Sequence, residues 1–275
     1  MIFDVCTLFP EIFSALANHS IIKRALQKDA IALRTFNIRD FATDKYKTVD
    51  DKPYGGGPGM VLKCEPVFDC IEHALDNGKQ ARLILLSPQG QTLNQKLVKE
   101  LAKEERLLIM CGHYEGFDER IRTGFDWLEL SIGEYVLSGG ELAACVLIDA
   151  ITRLLPGVLG DETSKEFESF EIEGLLDFPQ YTRPENFRGA KVPKILLSGN
   201  HEEVAKWRLE QAIKKTKKRK PNAVFDENKI LEKISELAYL QRNRKKVNFH
   251  TLQNSKKKLD NKREGESDEP ADSQD

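Results

Sequence analysis

The sequence has no apolar run approaching the roughly 20 residues that a membrane-spanning helix needs, so no membrane protein is expected. It also lacks a basic, apolar leader. The opening MIFDVCTLFPEIF carries Asp4 and no basic segment, which argues against a secretory signal peptide. Cysteine is scarce: Cys6, Cys64, Cys70, Cys111 and Cys145 are scattered, odd in number, and without CxxC or Cys/His spacing. That pattern excludes a disulfide framework and a zinc site and fits reduced core thiols in a cytoplasmic protein. There is no excess of either charge. The 42 basic and 44 acidic residues nearly cancel, so only local charge can point to a partner. Missing too are a GxGxxG between strand and helix, a P-loop lysine, a nucleophile elbow and HExxH, which disfavours nicotinamide, nucleoside triphosphate, serine hydrolase and metalloprotease chemistry.

What is present alternates. Strand-like segments at 2–9, 30–37, 83–86, 107–111 and 130–137 are separated by helix-like ones at 11–28, 65–76, 94–103 and 141–155. Short apolar strands separated by helices predict an α/β domain whose largely parallel sheet is covered on both faces. Ligands of such sheets gather beyond the C-terminal strand ends. Those ends read Ser87-Pro88-Gln89-Gly90, Gly112-His113-Tyr114-Glu115-Gly116 and Ser138-Gly139-Gly140. One such loop alone is an ordinary turn; three small, polar or glycine-rich loops together predict a binding crevice.

Residues 158–176 are acidic and read as a flexible linker, and 177–191 as irregular but ordered. Helices are expected at 201–218 and 229–242, followed by a tail from 251 with almost no apolar content. Between Lys206 and Lys220 stand eight basic residues and one acidic residue, with Trp207 interleaved. This stretch is locally strongly positive, and it fits phosphate contacts with stacking on a nucleic acid. Two other features are weaker. Tyr54-Gly55-Gly56-Gly57-Pro58-Gly59-Met60 reads as a turn, and Asp149 with Arg153, four apart on one helix face, as a helix ion pair or as an arginine facing developing negative charge.

Taken in order over residues 1–210, the runs LFPEIF, KTVDDKPYGGGPGM, LSPQGQ, CGHYEGFDERI, SIGEYVLSGGE, ITRLLPGVLG, GLLDFPQYTRP and LSGNHEEVAKWR closely resemble the bacterial tRNA (guanine-N1)-methyltransferases of the SPOUT superfamily. The resemblance implies a SPOUT α/β fold with a deep trefoil knot and a small all-helical C-terminal domain. Without it an unknotted doubly wound sheet is expected. Implied boundaries are a catalytic domain binding S-adenosyl-L-methionine at 1–160, a flexible acidic linker at 161–176, a helical tRNA-binding domain at 177–246 and a disordered tail at 247–275. The implied activity is methylation of N1 of guanosine 37 in tRNA by an obligate cytoplasmic homodimer whose sites use both subunits. A requirement for Mg²⁺ is left open.

Cofactor contacts carried over by motif are Leu86, Ser87, Pro88, Gln89, Gly112, Tyr114, Glu115, Ile132, Gly133, Glu134, Tyr135, Val136, Leu137, Gly139 and Gly140. Arg153 matches the family arginine expected to stabilise charge on guanine O6. The family base is an aspartate directly before Ser-Phe. Here Glu168 stands there, with the same chemistry and one more methylene, and Asp177 is the alternative carboxylate. His113 replaces a frequent family arginine. The competing reading is a differently targeted or non-catalytic SPOUT-fold RNA-binding protein, favoured only by the Glu168 departure.

Overall fold

The computed structural model describes residues 1–75, 80–159, 168–172, 174–225 and 230. The chain divides into two units, Met1–Glu166 and Phe167–Asp275. In the first, β1 (Ile2–Thr7), α1 (Glu11–Ala17), α2 (Ser20–Gln27) and β2 (Ala32–Asn37) lead to the short β3 (Asp50–Asp51) and β4 (Val61–Leu62). Then come α3 (Cys64–Leu75), β5 (Arg82–Thr92), α4 (Gln95–Leu101), β6 (Arg106–Cys111), α5 (Glu119–Thr123), β7 (Leu128–Ser131) and α6 (Glu141–Thr152). Five strands form one sheet in the order β2-β1-β6-β5-β7, every neighbouring pair parallel. The α/β class with a parallel sheet is as the sequence predicts.

The centre of the sheet follows from strand composition. β6, RLLIMC, is buried at every position. Its side chains alternate between faces: Leu107, Ile109 and Cys111 join a core with α1, α2, α4 and α6, while Leu108 and Met110 join a second core with α3 and α5. A continuous apolar run is what a strand covered on both faces requires. Charged groups interrupt this interior. Asp4 of β1 is fully buried. It accepts from Arg106 Nε at 2.7 Å and from Arg34 Nε and Nη2 at 2.5 and 2.7 Å, and Arg106 also donates to the Ala74 carbonyl of α3. The carboxylate thus joins β1, β2, β6 and α3.

Three expected elements differ. The helix expected over 11–28 is two helices, broken where His19 is extended and Ser20 takes φ of 48°. Asn18 donates its side-chain amide to the Ser14 carbonyl; short polar side chains that bond nearby backbone end helices this way. The strand expected to stop at Ser87-Pro88 runs on to Thr92, with an interruption described below. The strand expected over 130–137 stops at Ser131, whose hydroxyl both donates to the Gly133 carbonyl and accepts from its N–H. The residues beyond it are apolar because they line a surface, not because they are in the sheet.

In the second unit, β8 (Asn186–Phe187) and β9 (Ala190–Lys191) make a small antiparallel hairpin ahead of α7 (His201–Arg219). The α7 N-terminus is capped by Asn200, which accepts from Glu203 N–H. Glu202 and Glu203 in its first turn and Lys217, Lys218 and Arg219 in its last suit the helix dipole. Leu209 and Ala212 of α7 pack with Leu175, Phe178 and Ile230. Apart from Ile230, the expected helix at 229–242 lies outside the described residues, as do the tail and linker residues 160–167 and 173.

The buried ion cluster makes a prediction. Asp4→Ala leaves Arg106 charged in the interior and is expected to cost about 3–5 kcal/mol in urea unfolding. Arg34→Ala, which removes the half-exposed partner, is expected to cost about 1–2 kcal/mol. Equal losses would contradict this account of Asp4.

Candidate active site

The three loops predicted from sequence converge at the C-terminal ends of β5, β6 and β7. The first is an excursion inside β5. Leu86 and Gln91 both register with Leu130 of β7, so 87–90 leave the ladder between them. Ser87 Oγ accepts from Gln89 N–H at 3.2 Å. Gly90 is needed because a Cβ there would lie 2.5 Å from the Leu130 nitrogen.

The second loop leaves β6 at Gly112. It is braced from outside: Glu115 N–H donates to the Met60 carbonyl, Leu62 N–H to the Gly116 carbonyl and Asp118 N–H to the Leu62 carbonyl. The Gly55–Gly59 run is therefore a turn that delivers Met60 and Leu62 to the site loop. Tyr114 adopts φ of 58°. The His113 ring rests against Phe9, 5.1 Å between centroids, and Tyr114.

The third loop returns from β7 to the end of β6. Gly140 N–H donates to the Gly112 carbonyl at 2.8 Å, and His113 bridges Gly139. A Cβ on Gly140 would sit 2.9 Å from Cys111 Cα and 3.0 Å from Gly112 N. Helix α6 starts there. Its Glu141 is buried and accepts from Thr7 Oγ1 at 2.8 Å. Burial and the neighbouring Glu141 push the Cys111 thiol well up, so this cysteine stays protonated and is no nucleophile.

Together the loops enclose a cleft of about 860 Å³, solvent at its mouth included. Leu86, Ser87, Pro88, Gln89, Gly112, Tyr114, Glu115, Ile132, Gly133, Tyr135, Val136, Leu137, Gly139 and Gly140 all line it. Of the residues carried over by motif, Glu134 alone does not. The lining also includes His113, Gly116 and Ser138 of the predicted loops, and residues that the sequence did not single out: Phe117, Arg122, Leu130, Ser131 and Ala143. Leu130 and Ala143 sit in elements readable as apolar. Arg122 has no motif to announce it, since it looks like an ordinary charge on a short helix.

Arg153 is the half-buried C-cap of α6, its backbone N–H donating to the Asp149 carbonyl at 3.2 Å. Glu168 belongs to the second unit, at the start of a turn in which Glu171 N–H donates to its carbonyl. That turn is tied to α7. Asp177 N–H donates to Ser169 Oγ, Lys215 Nζ pairs with Asp177 Oδ1 at 2.6 Å, and Leu176 N–H donates to Thr216 Oγ1. The Lys220 ammonium lies 4.7 Å from the Phe170 ring centre. Asp177, the alternative carboxylate, is thus held by a lysine.

A family model described as tRNA (Guanine-1)-methyltransferase TrmD matches residues 1–226. The chain belongs to the tRNA (guanine-N1)-methyltransferase family. Among its relatives, the tRNA (guanine-N(1)-)-methyltransferase of Geobacillus kaustophilus is 53% identical over 230 residues, 84% of this chain and 93% of that protein. The enzyme of the same name from Moorella thermoacetica is 50% identical over 240 residues, 84% of this chain and 96% of its own length. Among solved structures, the tRNA (m1G37) methyltransferase of Aquifex aeolicus superposes with a TM-score of 0.66 at 41% identity, covering 81% of this chain and 94% of that one.

The contact of Gly140 with β6 is testable. Gly140→Ala must push α6 or the Gly112 loop outward and is expected to lower stability by about 1–3 kcal/mol in urea unfolding. An unchanged unfolding midpoint would show that the loop yields freely.

Proposed function

We propose that this chain transfers a methyl group from S-adenosyl-L-methionine to N1 of guanosine 37, beside the anticodon of tRNA. The carrying observation is the cleft: three loops that define the family in sequence meet around one space at the C-terminal ends of three parallel strands. Its chemistry fits the methyl donor. Leu86, Leu130, Ile132 and Ala143 supply an apolar lining for adenine and the carbons flanking the sulfonium. The glycines at 112, 116, 133, 139 and 140 carry no side chain, so the donor can lie close against the backbone there.

When bound, the sulfonium presents a methyl group already electrophilic. What the protein must supply is a base, because the nucleophile, guanine N1, carries a proton. In this reading the Glu168 carboxylate takes that proton as attack begins. The Arg153 guanidinium faces O6 and stabilises the negative charge that develops there. Holding both partners in line contributes much of the remaining rate. Glu168 is preferred to Asp177 because it stands directly before Ser169-Phe170, where the family carries its aspartate.

The finer architecture belongs to the same reading. The first unit carries the deep trefoil knot of the SPOUT fold, consistent with the return of the 132–140 loop onto the end of β6. Domain limits are 1–160, 161–176 and 177–246, with the tail beyond. The C-terminal domain holds tRNA through the exposed Lys214, Lys217, Lys218, Arg219 and Lys220 at the end of α7. The molecule works as a homodimer. Supporting this, Leu142 and Val146 lie one turn apart on α6 and are 59% and 48% exposed, and Val136 of the site loop is 83% exposed. Among the described residues no helix is long and apolar enough to cross a membrane, and a tRNA substrate assigns the enzyme to the cytoplasm.

The rival reading is a tRNA binder that has lost or redirected catalysis, favoured by glutamate at 168 where the family has aspartate. Transfer of labelled methyl to a tRNA transcript separates the two. Glu168→Gln is expected to lower kcat by roughly 100-fold or more, with Glu168→Asp active. Arg153→Ala is expected to lose a comparable factor while binding the donor normally. Full activity in Glu168→Gln would remove Glu168 from the reaction, and tRNA binding without transfer by the unmodified protein would favour the rival.

A further inference from the structure

The Ser87–Gly90 excursion has no register partner in β7. Pairing with β7 stops at Leu86 and resumes at Gln91, and side-chain bonds brace the residues between. Two of those bonds come from Arg122. Arg122 Nη1 donates to Gln89 Oε1 at 2.7 Å, and its Nη2 donates to Ser87 Oγ at 2.9 Å. The same Ser87 oxygen accepts from Gln89 N–H, so guanidinium, hydroxyl and amide close into a ring of bonds.

Arg122 is itself well anchored. It projects from α5, whose N-terminus is capped by Asp118 accepting from Arg120 N–H, and whose Ile121 carbonyl accepts from Trp127 Nε1 at 2.8 Å. Arg120 turns away to make two side-chain bonds with Asp118. Glu129 of β7, 3.5 Å from Arg122 Nη2, balances the charge. The Arg122 side chain is only 18% exposed, and it lines the cleft beside the residues it holds.

The geometry assigns Arg122 as a positioning residue for the methyl donor: its planar fork locks Ser87 and Gln89 in the conformation that forms one wall of the cleft. The inference rests on that cleft being the donor site. The fork is essential to the argument. Two acceptors two residues apart are reached by two nitrogens of one rigid group, which a lysine ammonium on a flexible stem does not reproduce. Fixing the wall before binding spares the donor the cost of ordering it. The effect therefore falls on donor affinity and not on tRNA affinity or on the chemical step.

Calorimetric titration of the full chain with S-adenosylhomocysteine, the demethylated donor, tests this. Arg122→Ala is expected to bind at least about ten-fold more weakly, as befits the loss of charge-assisted hydrogen bonds. Arg122→Lys, which keeps one bond, is expected to fall between the two. In methyl transfer, KM for the donor rises in parallel, while KM for tRNA and kcat at saturating donor stay within about three-fold, a split that general destabilisation does not produce. Should Arg122→Ala fail to fold, Arg122→Gln and Arg122→Lys carry the comparison. Variants that fold and bind within two-fold of the unmodified protein overturn the inference while leaving the donor site standing. Failure of the unmodified protein to bind overturns the donor site, and this inference falls with it.

Discussion

The site depends on a close approach of two backbones. Gly140, at the start of α6, lies so near the end of β6 that no side chain fits between them. That contact draws the 132–140 loop back over the centre of the sheet and sets one wall of the cleft. The other walls answer to it: the Gly112 loop accepts the Gly140 hydrogen bond, and the β5 excursion stands opposite across Leu130. Backbone meeting backbone at short range is rigid, because it has no rotamers to adjust. A site assembled from such contacts is largely formed before any ligand arrives.

The interior beneath explains why those strand ends stay aligned. β6 contributes alternate residues to two separate cores, and the Asp4 cluster joins β1, β2, β6 and α3 at the opposite, N-terminal end of β6. The charged group is costly to bury unless fully paired. Here both carboxylate oxygens have guanidinium partners, so the cluster sets strand register at one end and leaves the other end for loops. The second unit has a comparable device on a smaller scale, where Asp177 and Thr216 fasten the Glu168 turn to the strongly basic C-terminal end of α7.

Much of the fold was legible because burial on two faces demands continuous apolar strands, and Leu107–Cys111 could hardly be anything else. The cleft was legible because glycine and small polar residues recurred at three successive strand ends. Other features were hidden for physical reasons. The apolar run 130–137 reads as strand whether it enters the sheet or covers a site, and only the Ser131 hydroxyl bonds decide. Ser87-Pro88 ends most strands, yet here the chain rejoins its partner three residues later at Gln91. The break at Ser20 is a backbone conformation that a helical apolar stripe does not report. Arg122 was invisible because its partners are 33 and 35 residues away in sequence. Glu168 shows the reverse case: no composition argument selects it from five linker glutamates, and only the motif around it does.

The central claim is that this cleft directs a methyl group to one ring nitrogen of one purine. The most direct measurement is mass spectrometry of nucleosides and oligonucleotides from a tRNA transcript incubated with the purified chain and S-adenosyl-L-methionine. The account predicts 1-methylguanosine, confined to position 37 and absent when that guanosine is replaced by adenosine. A methyl group on another atom or another nucleotide, or an unmodified transcript under every ionic condition including added Mg²⁺, would contradict it.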